Sequence, residues 1–212
     1  LSCEVEIGLD EAYRGVEHPV ELARRERCGA CHGSGSASGS SRSTCPRCRG
    51  TGQIGRSQGF LMIATTCNQC QGAGSVLTDP CKECRGDGRV RRTKKLSVKI
   101  PPGVDTGTQL LLQGEGEAGQ DGVASGDLYV FIQVRPDERF ARDGDTLYMR
   151  APISFVTACL GGEVEVPTMT GPRKIEVPRG AETGYKIVLE GQGFPQLRSR
   201  RHGDLVVQLV VK

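Results

Sequence analysis

The chain has 212 residues, of which 36% are hydrophobic, and it combines 30 Gly and 11 Pro with a formal net charge of +3. No apolar run approaches the roughly 20 residues that a membrane-spanning helix requires, and nothing near the first residue resembles a signal peptide, so neither membrane insertion nor secretion is predicted. The many glycines and prolines favour short strands joined by turns over long helices.

The first segment predicts a strand followed by a short helix. Leu1, Cys3, Val5 and Ile7 alternate with other residues, which is the pattern of a half-buried strand. Because the alternation is present from Leu1 onward, we expect the chain to begin inside a larger protein. The stretch from residue 10 to residue 15, Asp-Glu-Ala-Tyr-Arg-Gly, predicts a single helical turn that ends at its glycine.

A basic segment follows this start. Residues 23–95 hold fourteen Lys and Arg against four Asp and Glu, so the rest of the chain is acidic. The cations either offset the negative charge of metal-bound thiolates or form a patch that binds nucleic acid. We favour the first interpretation and do not expect a nucleic-acid partner. Eight of the ten cysteines lie in the same segment.

These eight cysteines form four copies of the motif CxxCxGxG, which begin at Cys28, Cys45, Cys67 and Cys81. Two cysteines separated by two residues form a tight knuckle with both sulfurs directed at one ion, and Zn²⁺ takes four such ligands in a tetrahedron. Four knuckles therefore predict two structural zinc ions per chain. The two glycines after each knuckle permit positive φ angles and close approach of the chain beside a crowded metal centre.

The knuckles are expected to pair in a nested order, first with fourth and second with third. Nesting suits an inserted module because it brings residues 23 and 92 close together, although sequential pairing is also compatible with the spacing. The nested order places zinc site 1 at Cys28, Cys31, Cys81 and Cys84, and zinc site 2 at Cys45, Cys48, Cys67 and Cys70.

The other ligand-type residues have simpler interpretations. His32 follows a knuckle whose zinc already has four ligands, so we expect it at the surface. Cys3 and Cys159 stand alone in strand-like apolar settings and are expected to be small core residues.

The alternative to zinc is thiol–disulfide exchange, which would make the chain a thiol oxidoreductase or isomerase that uses its CxxC pairs. Redox pairs usually occur singly at the N-terminus of a helix, whereas these four pairs lie in Gly-rich loops. Without a secretion signal, metal binding is also favoured over structural disulfides. We therefore expect no enzymatic activity.

Outside the cysteine-rich segment the chain contains an internal repeat. A pattern of glycines that ends in Gly126-Asp127-Leu128 recurs 77 residues later and ends in Gly203-Asp204-Leu205, while residues 7–20 recur 146 residues later. The prediction is a mainly β protein with two tandem small β-sandwich domains, the first of them interrupted by the zinc module. The predicted bounds are 1–22 plus 93–139 for the first β domain, 23–92 for the cysteine-rich module and 140–212 for the second β domain.

One predicted strand, residues 128–134, is apolar on both faces. Leu128, Val130 and Ile132 share one face, whereas Tyr129 and Phe131 lie on the other. The strand is either central and covered on both sides, or it holds Phe131 in a partly open groove. The pattern alone favours neither.

Several of these features together resemble the DnaJ family, the J-domain co-chaperones that have a zinc module. The resemblance is carried by the four CxxCxGxG knuckles, by Ile100-Pro-Pro-Gly103, by Gly126-Asp127-Leu128 and by the segment from Leu9 to Gly15, and it covers essentially the whole chain. It implies a first β domain that binds extended apolar segments of unfolded clients by strand addition. It also implies a peptide pocket at Leu1, Val20, Leu22, Leu96 and Phe131.

The resemblance implies further expectations about partners and location. Zinc site 1 would keep the module folded with the β body, and zinc site 2 would help to engage a DnaK-type ATPase. The His-Pro-Asp signature of a J domain does not occur, since His18-Pro19 is followed by Val20, so this chain alone is not expected to stimulate that ATPase. We expect a cytoplasmic protein that is a homodimer at full length and a monomer as this chain.

Overall fold

The computed structural model describes residues 1–37, 42–58, 61–120, 123–197, 199 and 201–212, and within them it confirms a mainly β protein. The first eight elements are β1 (Ser2–Ile7), α1 (Leu9–Arg14), β2 (Val16–Arg27), β3 (Ser43–Thr44), β4 (Gln53–Gln58), β5 (Leu61–Thr66), β6 (Ser75–Val76) and β7 (Arg89–Ile100). The remaining elements are β8 (Gln109–Leu112), β9 (Leu128–Val134), β10 (Ala141–Asp143), β11 (Thr146–Ile153), α2 (Phe155–Leu160), β12 (Gly162–Val166), β13 (Arg173–Val177), β14 (Lys186–Leu189) and β15 (Leu205–Val211). Both helices have six residues, and none in the described part of the chain is long and apolar enough to cross a membrane.

The chain forms two compact units. Unit 1 comprises Leu1, residues 21–94 and residues 112–128, and it contains all four cysteine knuckles. Unit 2 comprises residues 2–20, 95–111 and 129–212. The three-domain division expected from the sequence stays a prediction.

The strands form small sheets with short connections. Four strands make the sheet β10-β11-β15-β14, and three make the sheet β1-β9-β8. The two longest strands, β2 and β7, pair with each other, as do β12 and β13, β3 and β6, and β4 and β5. No sheet among the described residues closes into a barrel, so several strand edges remain open.

The structure confirms the internal repeat in unit 2. Strand β1 runs parallel to β9 with Ser2 beside Tyr129, and β11 runs parallel to β15 with Tyr148 beside Val206. These two registers are related by the same offsets, 146 and 77 residues, that the sequence pattern predicts. The two sheets are therefore built from equivalent strands in equivalent alignment.

The predicted helical turn is confirmed as α1, and its repeat is α2. Each helix buries one alanine, Ala12 or Ala158, and each ends at a glycine with positive φ. The prediction that Cys159 is a core residue is wrong, because its side chain is exposed. Successive helical residues are turned by about 100°, so the position beside buried Ala158 faces outward. Cys3 is half-buried on β1, where burial raises the pKa of its thiol.

Strand β9 has two different faces. Leu128, Val130 and Ile132 are at most 2% exposed and lie in the core, whereas Tyr129 is 44% exposed and Phe131 is half-buried. A side chain in a strand alternates between the faces of its sheet, so Tyr129 and Phe131 share the outward face. Of the two sequence interpretations, the structure favours the partly open one.

Unit 2 also contains a cation, Arg142, whose side chain is only 9% exposed. Arg142 donates hydrogen bonds to the carbonyl oxygens of Val104 at 2.6 Å, Gly144 at 2.8 Å and Gly103 at 3.2 Å. Its guanidinium lies 3.6 Å from the centre of the ring of Phe194, a residue that is fully buried. Burial lowers the pKa of Arg142, but an arginine remains charged at neutral pH. The charge is thus satisfied by backbone oxygens and by a cation–π contact.

Candidate metal centres and peptide-binding surfaces

The eight motif cysteines form two separate clusters of buried thiols. Cys28, Cys31, Cys81 and Cys84 make one cluster, and Cys45, Cys48, Cys67 and Cys70 make the other; within each, all four sulfurs lie within 4.8 Å of one another. No motif cysteine is more than 8% exposed. The nested pairing predicted from the sequence is therefore confirmed.

The spacing of the sulfurs fits a zinc tetrahedron. A Zn–S bond of about 2.3 Å requires sulfurs that are about 3.8 Å apart at the corners of a tetrahedron. The measured Sγ–Sγ distances are 3.8 Å for Cys28–Cys81, 3.6 Å for Cys31–Cys84, 3.9 Å for Cys45–Cys67 and 3.6 Å for Cys48–Cys70. Four thiolates at this spacing fill the coordination shell, so the two sites fit two structural zinc ions.

Backbone N–H groups favour the thiolate form at some of the sulfurs, while burial raises the pKa of others, to about 12 at Cys28 and about 11 at Cys70. Burial acts to raise the pKa of the Cys48 thiol, but the N–H of Gly52 donates to its Sγ over 3.3 Å, and this and neighbouring donors lower the pKa to about 6. In site 1, burial and the N–H of Gly35 oppose each other in the same way at Cys31, and its pKa falls to about 7. Hydrogen bonds to the charged form favour it, and zinc binds that form.

Each knuckle is also hydrogen-bonded to its partner through the backbone. In site 1 the N–H of Cys28 donates to the oxygen of Gly88 at 2.9 Å, and the N–H of Cys81 donates to that of Gly35 at 2.8 Å. Site 2 repeats this reciprocal pair with Cys45 and Gly74 at 2.9 Å and with Cys67 and Gly52 at 2.9 Å. The carbonyl oxygen of the last glycine of each motif thus accepts a hydrogen bond from the first cysteine of the partner knuckle.

This contact explains why the motif ends in glycine. Gly52 has φ of 70°, and a Cβ atom placed on it would overlap the carbonyl oxygen of Gly72 in the partner knuckle. The positive φ angles and the close approach of the chain that the glycine pairs predict are both confirmed. The approach is between the two knuckles that share a site.

We expect Gly52→Ala to weaken zinc site 2. The alanine would have to adopt a left-handed conformation and displace a backbone carbonyl, which should cost roughly 2–3 kcal/mol, about a hundredfold in zinc affinity. Zinc transfer to a chromophoric chelator measures this. Gly55→Ala is the matched control, since Gly55 has nothing within 4 Å of its added Cβ. Equal zinc retention by the two variants would contradict the explanation.

Four other residues adopt the left-handed conformation at one position of the motif. His32, Arg49, Gln71 and Arg85 directly follow the second cysteine of their knuckles, and their φ angles lie between 49° and 54°. His32 is exposed and does not belong to either cysteine cluster, which confirms the sequence prediction.

Unit 1 contains a charge network that sequence reasoning missed. Arg24, only 8% exposed, donates to the carboxylate of Glu115 at 2.7 Å and to its backbone oxygen at 2.6 Å. Lys94 also donates to this carboxylate at 3.2 Å, and hydrogen bonds from Lys94 and Arg24 lower the pKa of Glu115. The partners lie far apart in sequence, so no local pattern indicates the network.

The five residues predicted to line a peptide pocket have different environments. Val20 and Leu22 on β2 are each 8% exposed, Leu96 on β7 and Phe131 on β9 are half-buried, and Leu1 is 41% exposed. Val20, Leu96 and Phe131 belong to unit 2, and Leu1 and Leu22 belong to unit 1. Their shared role stays a prediction.

Fold and site together define a β-rich protein that carries a cysteine-knuckle zinc module. The family model described as DnaJ C terminal domain matches residues 1–212, so the chain belongs to this family. The chain is 48% identical to the protein named Chaperone protein DnaJ of Desulfotalea psychrophila, 47% to that of Nitrosomonas europaea and 44% to that of Syntrophobacter fumaroxidans. Each match covers 100% of the chain and between 55% and 58% of the relative, so the chain spans somewhat more than half of their length.

Proposed function

We propose that this chain is the client-binding part of a DnaJ-type co-chaperone. It binds exposed apolar segments of unfolded proteins, prevents their aggregation and delivers them to a DnaK-type ATPase. The observation that carries the proposal is the family match over the whole chain, together with relatives that are named chaperone proteins.

The sheet β1-β9-β8 of the first repeat supports strand addition. Its outer strands are β1 and β8, and the free backbone groups of an edge strand can pair with an extended client segment. The outward face next to these edges presents Tyr129 and Leu111, which are 44% and 48% exposed, and half-buried Phe131. Backbone pairing would supply affinity for any sequence, and the apolar side chains would supply a preference for apolar segments.

Within this proposal the zinc ions are structural and the protein is not an enzyme. Four thiolates at each site leave no coordination position for a substrate or a reactive water. The ions hold knuckles together in segments with little apolar core: apart from cysteines, Val90 packs on site 1, and Ile54 and Val76 pack on site 2. Reduced thiolates of this kind persist in a reducing compartment, so we expect a cytoplasmic location.

We assign the contact with the DnaK-type ATPase to the part of the module around zinc site 2. The second and third knuckles, which form this site, are joined by the hairpin β4–β5. Zinc site 1 is adjacent in sequence to β2 and β7 and would hold the module to the β body. The homodimer expected at full length and the monomeric state of this chain belong to the same proposal.

Phe131→Asp is expected to weaken the binding of an apolar peptide by at least about tenfold. An apolar side chain that packs on the outward face of β9 would strip water from the new carboxylate without offering it a hydrogen bond, and this desolvation is costly. Fluorescence anisotropy with a labelled apolar peptide measures the affinity. Phe155→Asp is the matched control, since Phe155 lies on α2 and is 68% exposed. Thermal unfolding and zinc content establish that both variants are folded. Unchanged affinity of a folded Phe131→Asp variant would show that the pocket is misplaced.

A further inference from the structure

The equivalent outward faces of the two repeats differ in the sign of their charge at one position, which is Glu4 in the first copy and Arg150 in the second. The first face consists of Glu4, Glu6, Tyr129, Phe131 and Gln133, on β1 and β9. The second face consists of Ala141, Asp143, Thr146, Tyr148, Arg150, Lys186, Val188, Val206 and Gln208, on β10, β11, β14 and β15. Its anion, Asp143, is paired with Thr146 and so lies on the other side of Tyr148 from Arg150. In the repeat, Arg150 takes the position of Glu4, and Gln208 takes that of Phe131. The side chain paired with Phe131 is therefore an anion, Glu4, whereas the side chain paired with the equivalent Gln208 is a cation, Arg150.

The second face has an apolar row beside a basic row. Val206 lies between Tyr148 and Val188 on neighbouring strands, and these two outer residues are 40% and 53% exposed. In the adjacent row, Gln208 lies between Arg150 and Lys186, both of which are exposed. Successive rows on one face are two residues apart, or about 6.7 Å. One extended segment can contact both rows.

A cleft runs along this face. It has a volume of about 950 Å³, and the connection between β9 and β11 forms its other side. Most charges on that side are neutralised by ion pairs: Arg139 pairs with Asp137 at 2.8 Å, and Arg142 lies 3.7 Å from Asp105. The charges that remain in the cleft lining are Arg135, Arg150 and Lys186 against Glu138. In the described part of the chain, no ion pair involves Arg150 or Lys186.

We propose that the second face binds client segments in which bulky apolar residues are flanked by Asp or Glu. The apolar side chains contact the row of Tyr148, Val206 and Val188, and the carboxylates pair with Arg150 and Lys186. The first face, with Glu4 and Glu6, disfavours the same segments and accepts apolar segments with Lys or Arg. This inference rests on the proposed function and adds a division of clients by charge between the two repeats.

An isolated row of surface cations would be a solvated face and nothing more. Three features distinguish this one: the adjacent exposed apolar row, the cleft that flanks it, and the reversal of charge at one equivalent position of a duplicated sheet, Glu4 and Arg150. Exposed ion pairs are individually weak, so selectivity rather than affinity is the expected effect.

The test uses three fluorescein-labelled peptides with one apolar core of Leu, Phe and Val, flanked by two Glu, two Lys or two Ser at each end. Anisotropy at low salt measures their affinities for the unmodified chain and for the Arg150→Glu/Lys186→Glu variant. We expect this variant to lose about tenfold in affinity for the Glu-flanked peptide relative to the Ser-flanked one, and the difference should shrink as salt rises.

Two controls isolate the site. Arg91→Glu/Arg173→Glu makes the same change of charge on exposed residues outside the second face and outside the cysteine knuckles, and it should leave the order of the peptides unchanged. Glu4→Lys/Glu6→Lys should instead weaken binding of the Lys-flanked peptide. If Arg150→Glu/Lys186→Glu retains the preference of the unmodified chain, the charge assignment is overturned. If none of the three peptides binds the unmodified chain, the proposed function itself fails.

Discussion

Replacing Cys45 by serine is expected to abolish zinc site 2 while leaving site 1 intact. Three thiolates do not complete the tetrahedron, and a structural zinc contributes on the order of 10 kcal/mol to the folding of a small module. The knuckles of site 2 have few other apolar contacts, so we expect them to unfold with the hairpin between them. Elemental analysis of reduced, natively purified protein should give one zinc per chain in place of two.

Cys159→Ser is the matched control for this experiment. It makes the same chemical change at an exposed cysteine outside both clusters, and the variant should retain two zinc ions. Two zinc ions in Cys45→Ser, or fewer than two in the unmodified chain, would contradict the zinc sites described here.

Arg142→Ala is expected to destabilise unit 2 by about 3 kcal/mol. The substitution removes charge-assisted hydrogen bonds to buried carbonyl oxygens and the cation–π contact with Phe194, and it leaves a space beside that ring. Urea unfolding followed by circular dichroism measures the loss.

A second arginine, three residues earlier, provides the comparison. The side chain of Arg139 is 46% exposed and pairs with Asp10 and Asp137, so Arg139→Ala should cost no more than about 1 kcal/mol. If the two variants lose similar stability, the burial of Arg142 is not what makes it important.

The zinc sites could be predicted from the sequence because their signals are local. Four repeats of CxxCxGxG indicate both the type and the number of the metal ligands. The insertion of the module favours the nested pairing, which the structure confirms. The internal repeat could be predicted for a similar reason, since its fixed offsets survive in the registers of β1 with β9 and of β11 with β15.

What the sequence could not predict depends on contacts between distant residues. The salt bridge of Arg24 with Glu115 and the stacking of Arg142 on Phe194 join segments with no common pattern. Cys159 was misjudged because six helical residues are too few to show a periodic apolar stripe. Alternation separated the two faces of β9, but it could not reveal how far Phe131 is covered.

The parallel pairing of β1 with β9 has a consequence for the order of biosynthetic folding. Its partners, Ser2 and Tyr129, are separated by the whole zinc module, whereas Tyr148 and Val206 of the second repeat are separated by less than half that distance along the chain. Residues 2–7 must therefore wait for more than a hundred later residues to emerge from the ribosome. By then zinc can already have closed the intervening loop by joining Cys28 to Cys81, which reduces the entropy lost when the two strands meet.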